Sequence, residues 1–216
     1  AMDRVGREGA ITIEDGSGLM SVLEVVEGLQ FDRGYLSPYF INNAERQSAL
    51  LEDVFILLYD GKLQALTDWL PLLEEVVKAG RPLLVVADDL DSETLSGLVL
   101  NSLRGALKVC AVKAPDFGDR RRALLQDMAV LTGAQVVGEA AGLPLAQARL
   151  TDLGRARRVE VGKDSTTLIG GAGTPAALRE RMDALRRERA GAGFATIDAM
   201  TQDLFRQDAT LPECRA

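Results

Sequence analysis

The side chains best suited to catalysis are few and scattered in this sequence. It contains no histidine, which removes Ser-His-Asp and Cys-His nucleophile systems and most zinc sites. Its two cysteines, Cys110 and Cys214, lie far apart and form no Cys-x-x-Cys pair. Cys110 falls within the run Leu107-Lys-Val-Cys-Ala-Val112, where a buried strand residue is expected rather than a reactive thiol. Asp88 and Asp89 are a carboxylate pair, joined by Asp91 and Glu93, at a strand end leading into a helix. Negative charge there suits the helix dipole and needs no catalytic role. Gly170-Gly171-Ala172-Gly173 lacks the spacing of a phosphate-binding loop. Ahead of Thr174-Pro175, a good helix start, it reads as a flexible connection. No catalytic, cofactor-binding or metal-ligating residue is nominated, and the chain is expected not to be an enzyme.

What the sequence offers instead is apolar surface. In residues 27–40, Tyr35, Leu36, Tyr39 and Phe40 gather around Gly34 and Pro38. Gly34 permits backbone angles closed to other residues, and Pro38 stiffens the residues after it. Such a segment is either plugged into a core or held where it can grip something apolar. Two helices downstream are apolar over more of their circumference than one packed face requires. Trp69, Leu70, Leu72, Leu73, Val76 and Val77 span about 160°, and Leu95, Leu98, Val99, Leu100, Leu103 and Leu107 about 200°. A helix lying on a sheet needs a stripe of roughly 100° or a little more. The excess means deeper burial by neighbouring helices, or a groove in which a partner helix or extended segment lies. Periodicity alone leaves both open.

The elements that would position these residues alternate. Residues 54–59, 83–87 and 109–113 are apolar runs of strand length, of the kind found in a sheet covered on both faces. Helices are predicted over 66–78, 92–107 and 119–131, with Asp91 or Ser92 capping the second. A short extended run at 10–14, a strand at 135–138, and strands at 157–162 and 166–169 flanking Lys163-Asp164 as a hairpin complete the pattern. Asp60-Gly61 reads as the turn that ends the first of the covered strands. The expected fold is α/β: a largely parallel sheet flanked by helices, with β-hairpin decoration.

The 216 residues are 47% hydrophobic and 26% charged, enough for a real core, and the net charge of −7 argues against a nucleic-acid partner. The basic runs at 120–122 and 155–158 are short and interleaved with carboxylates, and read as solvated faces. No apolar run is long enough to span a bilayer, and the first residues lack a signal peptide's apolar stretch. A cytoplasmic protein without membrane contact is the expectation.

The motifs themselves bring a family into view. Residues 27–40, Val54-Phe-Ile-Leu-Leu58, Pro82-Leu-Leu-Val-Val-Ala-Asp-Asp89, residues 101–105 and Val112-Lys-Ala-Pro-Asp-Phe-Gly-Asp-Arg120 resemble the apical domain of bacterial chaperonins of the GroEL family. So do Leu125-Gln-Asp-Met-Ala-Val-Leu-Thr-Gly133 and Lys163-Asp-Ser-Thr-Thr167, in the family's order and spacing to about residue 188. The resemblance implies an intermediate-domain remnant at 1–26, an apical polypeptide-binding domain at 27–188, and a divergent tail at 189–216. The tail holds Phe194, Ile197, Met200 and Leu204 at the spacing of one short helix.

What the resemblance implies for function is a surface that binds non-native polypeptides and a co-chaperonin lid, assisting protein folding. Its residues would be Tyr35, Ser37, Tyr39 and Phe40 in the extended segment, Leu70 and Leu73 in the first helix, and Leu95, Val99 and Leu100 in the second. Leu100 stands where the family commonly has valine. Leu72, Val76, Leu98 and Leu103 remain core candidates. Asp116 stands where the family usually has glycine, and aspartate tolerates left-handed geometry better than most residues. The family's ATP-binding equatorial domain has no counterpart in this chain, so ATP and Mg are not expected as cofactors here. The chain looks like a fragment, a monomer in isolation that meets full-length chaperonin subunits. The alternative reading is an inactive truncated remnant with a structural or ring-interfering role.

Overall fold

A computed structural model describes residues 28–191. The extended run at 10–14, the implied intermediate-domain stretch and the tail's helical pattern lie outside the described residues. Residues Glu27–Asp183 form one compact unit.

Seven strands make one sheet: β1 (Gly28–Phe31), β2 (Ala49–Leu63), β3 (Leu83–Leu90), β4 (Val109–Lys113), β5 (Val136–Val137), β6 (Gly154–Val161) and β7 (Thr166–Gly171), in the order β1-β7-β6-β2-β3-β4, with β5 also paired to β2. Among the described residues four α-helices accompany them: α1 (Leu70–Ala79), α2 (Ser92–Leu103), α3 (Gly118–Thr132) and α4 (Pro175–Gly191). The pairs β2–β3, β3–β4 and β2–β5 are parallel, and β1–β7, β6–β7 and β2–β6 antiparallel. The hairpin is therefore continuous with the sheet. Its β6 strand registers along β2 from Ala49 to Ile56.

The parallel half follows from composition. Leu83 to Ala87 and Val109 to Val112 are buried without a break, as strands covered on both faces must be. Burial pushes the Cys110 thiol up to about 12, well above the ordinary thiol range. Each of β2, α1, β3, α2 and β4 follows the last in chain order, so two crossovers lay α1 and α2 beside one another on one face. Both helices then run the same way, opposite to the strands. No helix among the described residues is long and apolar enough to cross a membrane.

Several local readings of the sequence are corrected. The helix expected over 66–78 opens as a 3-10 turn, Leu66–Trp69, and becomes α-helical only at Leu70, with Pro71 in its first turn. Proline there costs no intrahelical hydrogen bond. Asp60-Gly61 does not end β2; the strand runs on to Leu63 through a register shift between Tyr59 and Lys62. The nearly buried Asp60 carboxylate accepts from Arg121 and Arg122 on α3, both at 3.2 Å. Arg121, expected in a solvated run, also pairs with Asp88. It ties the first turns of α3 to two strand ends. Lys113 holds Asp89 at 2.8 Å and, chiefly through that hydrogen bond, keeps its carboxyl below the usual carboxylate range. The carboxylate pair is thus divided between two cations and serves as structural glue.

The glycine run at 170–173 is packed, not flexible. Gly173 N–H donates to the Leu131 carbonyl at 2.8 Å, and a Cβ on Gly173 would lie 1.9 Å from the Val130 carbonyl oxygen. The chain has to touch the end of α3 here, which only glycine permits. Thr174 then caps α4, its Oγ1 accepting from Ala177 N–H.

Candidate functional site

The candidate surface is built on α2, which has a neighbour on each side. One side is shown by Gly97, whose Cβ position would lie 3.4 Å from Leu66, just ahead of α1. The other side meets the 3-10 turn Pro38–Phe40. Thr94, buried at the first turn, donates to the Gln64 carbonyl and pins the helix start to the segment after β2. At 100° per residue, Leu100 then lies toward α1, while Leu95 and Val99 lie toward the 3-10 turn.

The 27–40 segment reaches this place by a crossing. Tyr35 N–H donates to the Gly162 carbonyl in the hairpin at 3.1 Å, and Leu36 N–H to the Ala111 carbonyl of β4 at 2.9 Å. Tyr35 also forms an isolated bridge with Val112. Thr166 Oγ1 donates to the Arg33 carbonyl at 2.6 Å, securing the start of the crossing. Ser37 is buried and caps the 3-10 turn, its Oγ accepting from Tyr39 N–H at 3.4 Å. Phe40 turns into the core and Tyr39 turns out, 64% exposed. One segment thus sends one aromatic ring into the core and leaves another at the surface.

Each nominated residue now has a place. Tyr39, Leu70 at 44% and Leu100 at 47% are exposed; Tyr35, Leu95 and Val99 are half-buried against the core; Ser37, Phe40 and Leu73 are buried. Leu72, Val76 and Leu98 are core, as their spacing predicted, and Trp69 joins them with no exposure. Leu103 does not. It is 62% exposed, because it falls on the crest of α2 between Val99 and Leu100. Val77 is also exposed, one turn on from Leu73 and two from Leu70 along α1. The result is an apolar strip shared by Leu70, Val77, Leu100, Leu103 and Tyr39 over a buried floor. The signal for Leu103 was present: Leu95, Val99 and Leu103 repeat at four residues and move steadily outward.

Such a strip has no nucleophile, acid–base pair or ligand cluster within it. Among the described residues no group of His, Cys, Asp and Glu is placed to hold a metal ion. Chemically it can do one thing, which is to take apolar side chains out of water. Surfaces of this kind mark interaction sites on soluble domains.

Comparison with known proteins defines the class. No family model matches the chain. It is 70% identical over 189 residues to Chaperonin GroEL 1 of Polaromonas naphthalenivorans (strain CJ2), a match covering 88% of this chain and 35% of the relative. It is 67% identical over 189 residues to Chaperonin GroEL 2 of Albidiferax ferrireducens (strain ATCC BAA-621 / DSM 15236 / T118), with the same two coverages. The sequence is chaperonin sequence over that 88%. The chain corresponds to a fragment of a GroEL-type chaperonin, spanning about a third of the length of the curated relatives it matches.

That coverage overturns one expectation. The absence of a nucleotide site suggests a chain that is not an enzyme. With 35% of a relative's length in hand, these residues decide nothing about catalysis either way, and the expectation does not stand.

Proposed function

We propose that residues 27–188 bind non-native polypeptides, and a co-chaperonin, through the apolar strip, as the binding part of a chaperonin that assists protein folding. The observation that carries this reading is the exposure of Leu70, Leu100 and Tyr39 side by side with buried Leu73, Leu98 and Phe40. Large apolar groups face solvent on three neighbouring elements, each held from beneath. The relatedness to GroEL supports the same reading.

The physics suits a receptor without sequence preference. Unfolded chains share exposed apolar side chains and little else, so a site that recognises them must rely on a force without direction. Burial of apolar surface supplies roughly 25 cal/mol per Å². Leu95 and Val99 set the wall on the side of the 3-10 turn, Leu70 and Leu100 the rims of the seam between α1 and α2, and Tyr39 adds an aromatic edge with a hydroxyl.

The test is a titration with a fluorescent amphipathic peptide, compared with the Leu70→Glu/Leu100→Glu variant. Both side chains are exposed, so substitution leaves the fold intact by circular dichroism. Micromolar-range binding by the wild type and its loss in the folded variant is the expected result. Equal binding by both proteins would sink the reading.

A further inference from the structure

The seam between α1 and α2 ends in a feature that apolar binding does not use. Both helices terminate at the same end, where β3 and β4 begin side by side: Leu83 N–H donates to the Lys108 carbonyl at 2.8 Å. Between the two helix ends lies an open hollow of about 230 Å³, whose lining includes Val77, Arg81, Leu107 and Lys108. Lys78 and Arg104 are the chain neighbours of the lining residues Val77 and Gly105. All four cations are exposed, and none has an ion-pair partner among the described residues. Other cations of the unit, Lys62, Lys113, Arg121, Arg122 and Arg149 among them, do meet carboxylates. Arg81 is held in place from behind, its guanidinium 5.5 Å from the centre of the Phe55 ring.

The charge count decides the sign of the site. Each helix C-terminus contributes roughly −0.5 of an elementary charge, so two of them offset about one of the four cations. A clear positive excess remains, in a chain whose net charge is −7. The opposite end of the seam carries Asp68 and Glu93, with Asp91 paired to Lys62 at 3.3 Å, and Glu74 stands midway along α1. From one end to the other the seam therefore runs from acidic to basic.

We infer that the hollow is a carboxylate-reading subsite: it takes the acidic end of a bound apolar peptide segment and sets which end lies at the helix C-termini. The inference rests on the polypeptide-binding reading above. A peptide fits better than a nucleic acid because half-exposed Val77 continues the apolar strip into the hollow. The carboxylates of Glu74 and Glu93 would also repel a phosphate chain laid along the seam.

The experiment uses the full 216-residue chain and fluorescein-labelled peptides sharing one apolar core. They end in Glu-Glu, Gln-Gln or Lys-Lys, placed at the N-terminus in one series and the C-terminus in another. By anisotropy at low ionic strength, the Glu-ended peptide of at least one series binds roughly three- to tenfold tighter than the Gln-ended one, and the Lys-ended one more weakly. Arg104→Gln/Lys108→Gln brings the Glu-ended peptide to the affinity of the Gln-ended one, whose own affinity does not change. Added salt has the same effect on the wild type. Equal affinities across both series overturn the subsite and leave the apolar strip standing. No binding by any peptide overturns both. A preference that survives in the double variant, or displacement of the Glu-ended peptide by a single-stranded oligonucleotide, also overturns the inference.

Discussion

Gly34 has a backbone that other residues adopt, since its φ lies outside the left-handed region. The need for glycine there is one of space. A Cβ would lie 1.8 Å from the Lys163 carbonyl oxygen and 2.5 Å from that of Gly162. Both are backbone atoms of the hairpin loop, so nothing can rotate aside. Conformational freedom was the wrong reason for the right residue, because closeness between distant segments is not written in local sequence. Asp116 is the reverse case: its φ is 65°, the left-handed geometry that its replacement of glycine implied, and its Oδ1 accepts from Phe117 N–H at 2.9 Å. We expect Gly34→Ala to cost about 3 kcal/mol, at the upper end for overpacking. It should also weaken peptide binding, because the crossing that carries Tyr35 and Tyr39 must move. Urea denaturation checks the first effect; an unchanged midpoint would show that the crossing yields freely.

At the scale of elements, α2 shows what periodicity can and cannot say. Leu98 and Leu103 are both leucines within one apolar arc, yet one has no exposure and the other 62%. The arc measured apolar width, and width cannot tell which edge faces a neighbour. The neighbours decide: the sheet lies beneath Leu98, Leu66 lies beside Gly97, and the 3-10 turn flanks the far side. The covered strands β3 and β4 were legible for the opposite reason, since unbroken apolar runs have only one stable place. The full length of β2 was not, because Asp60 looks like a turn residue until Arg121 and Arg122 supply its partners. Leu98→Ala should destabilise the unit by about 2–5 kcal/mol. Leu103→Ala should change stability by no more than about 0.5 kcal/mol, yet weaken peptide binding. Paired denaturation and titration of the two variants separates floor from rim, and equal stability losses would return Leu103 to the core.

At the scale of the whole molecule, one strip is a weak receptor. Covering it removes a few hundred Å² from water, worth on the order of 8 kcal/mol at ~25 cal/mol per Å². Association costs about 4–15 kcal/mol before any net affinity appears. A single copy therefore holds a single segment loosely. An unfolded protein carries many apolar segments, and several strips presented together would engage several at once. The second contact is then intramolecular, with avidity rising roughly 10²- to 10⁴-fold over the single site. This predicts a specific contrast when the chain is immobilised at increasing surface density. The apparent affinity for a denatured protein should climb steeply with density, while that for a one-segment peptide stays flat. The slope for the denatured protein should vanish in Leu70→Glu/Leu100→Glu, because avidity multiplies a site and cannot replace one. If peptide and denatured protein responded alike to density, the strip would be binding them by something other than repeated apolar contact.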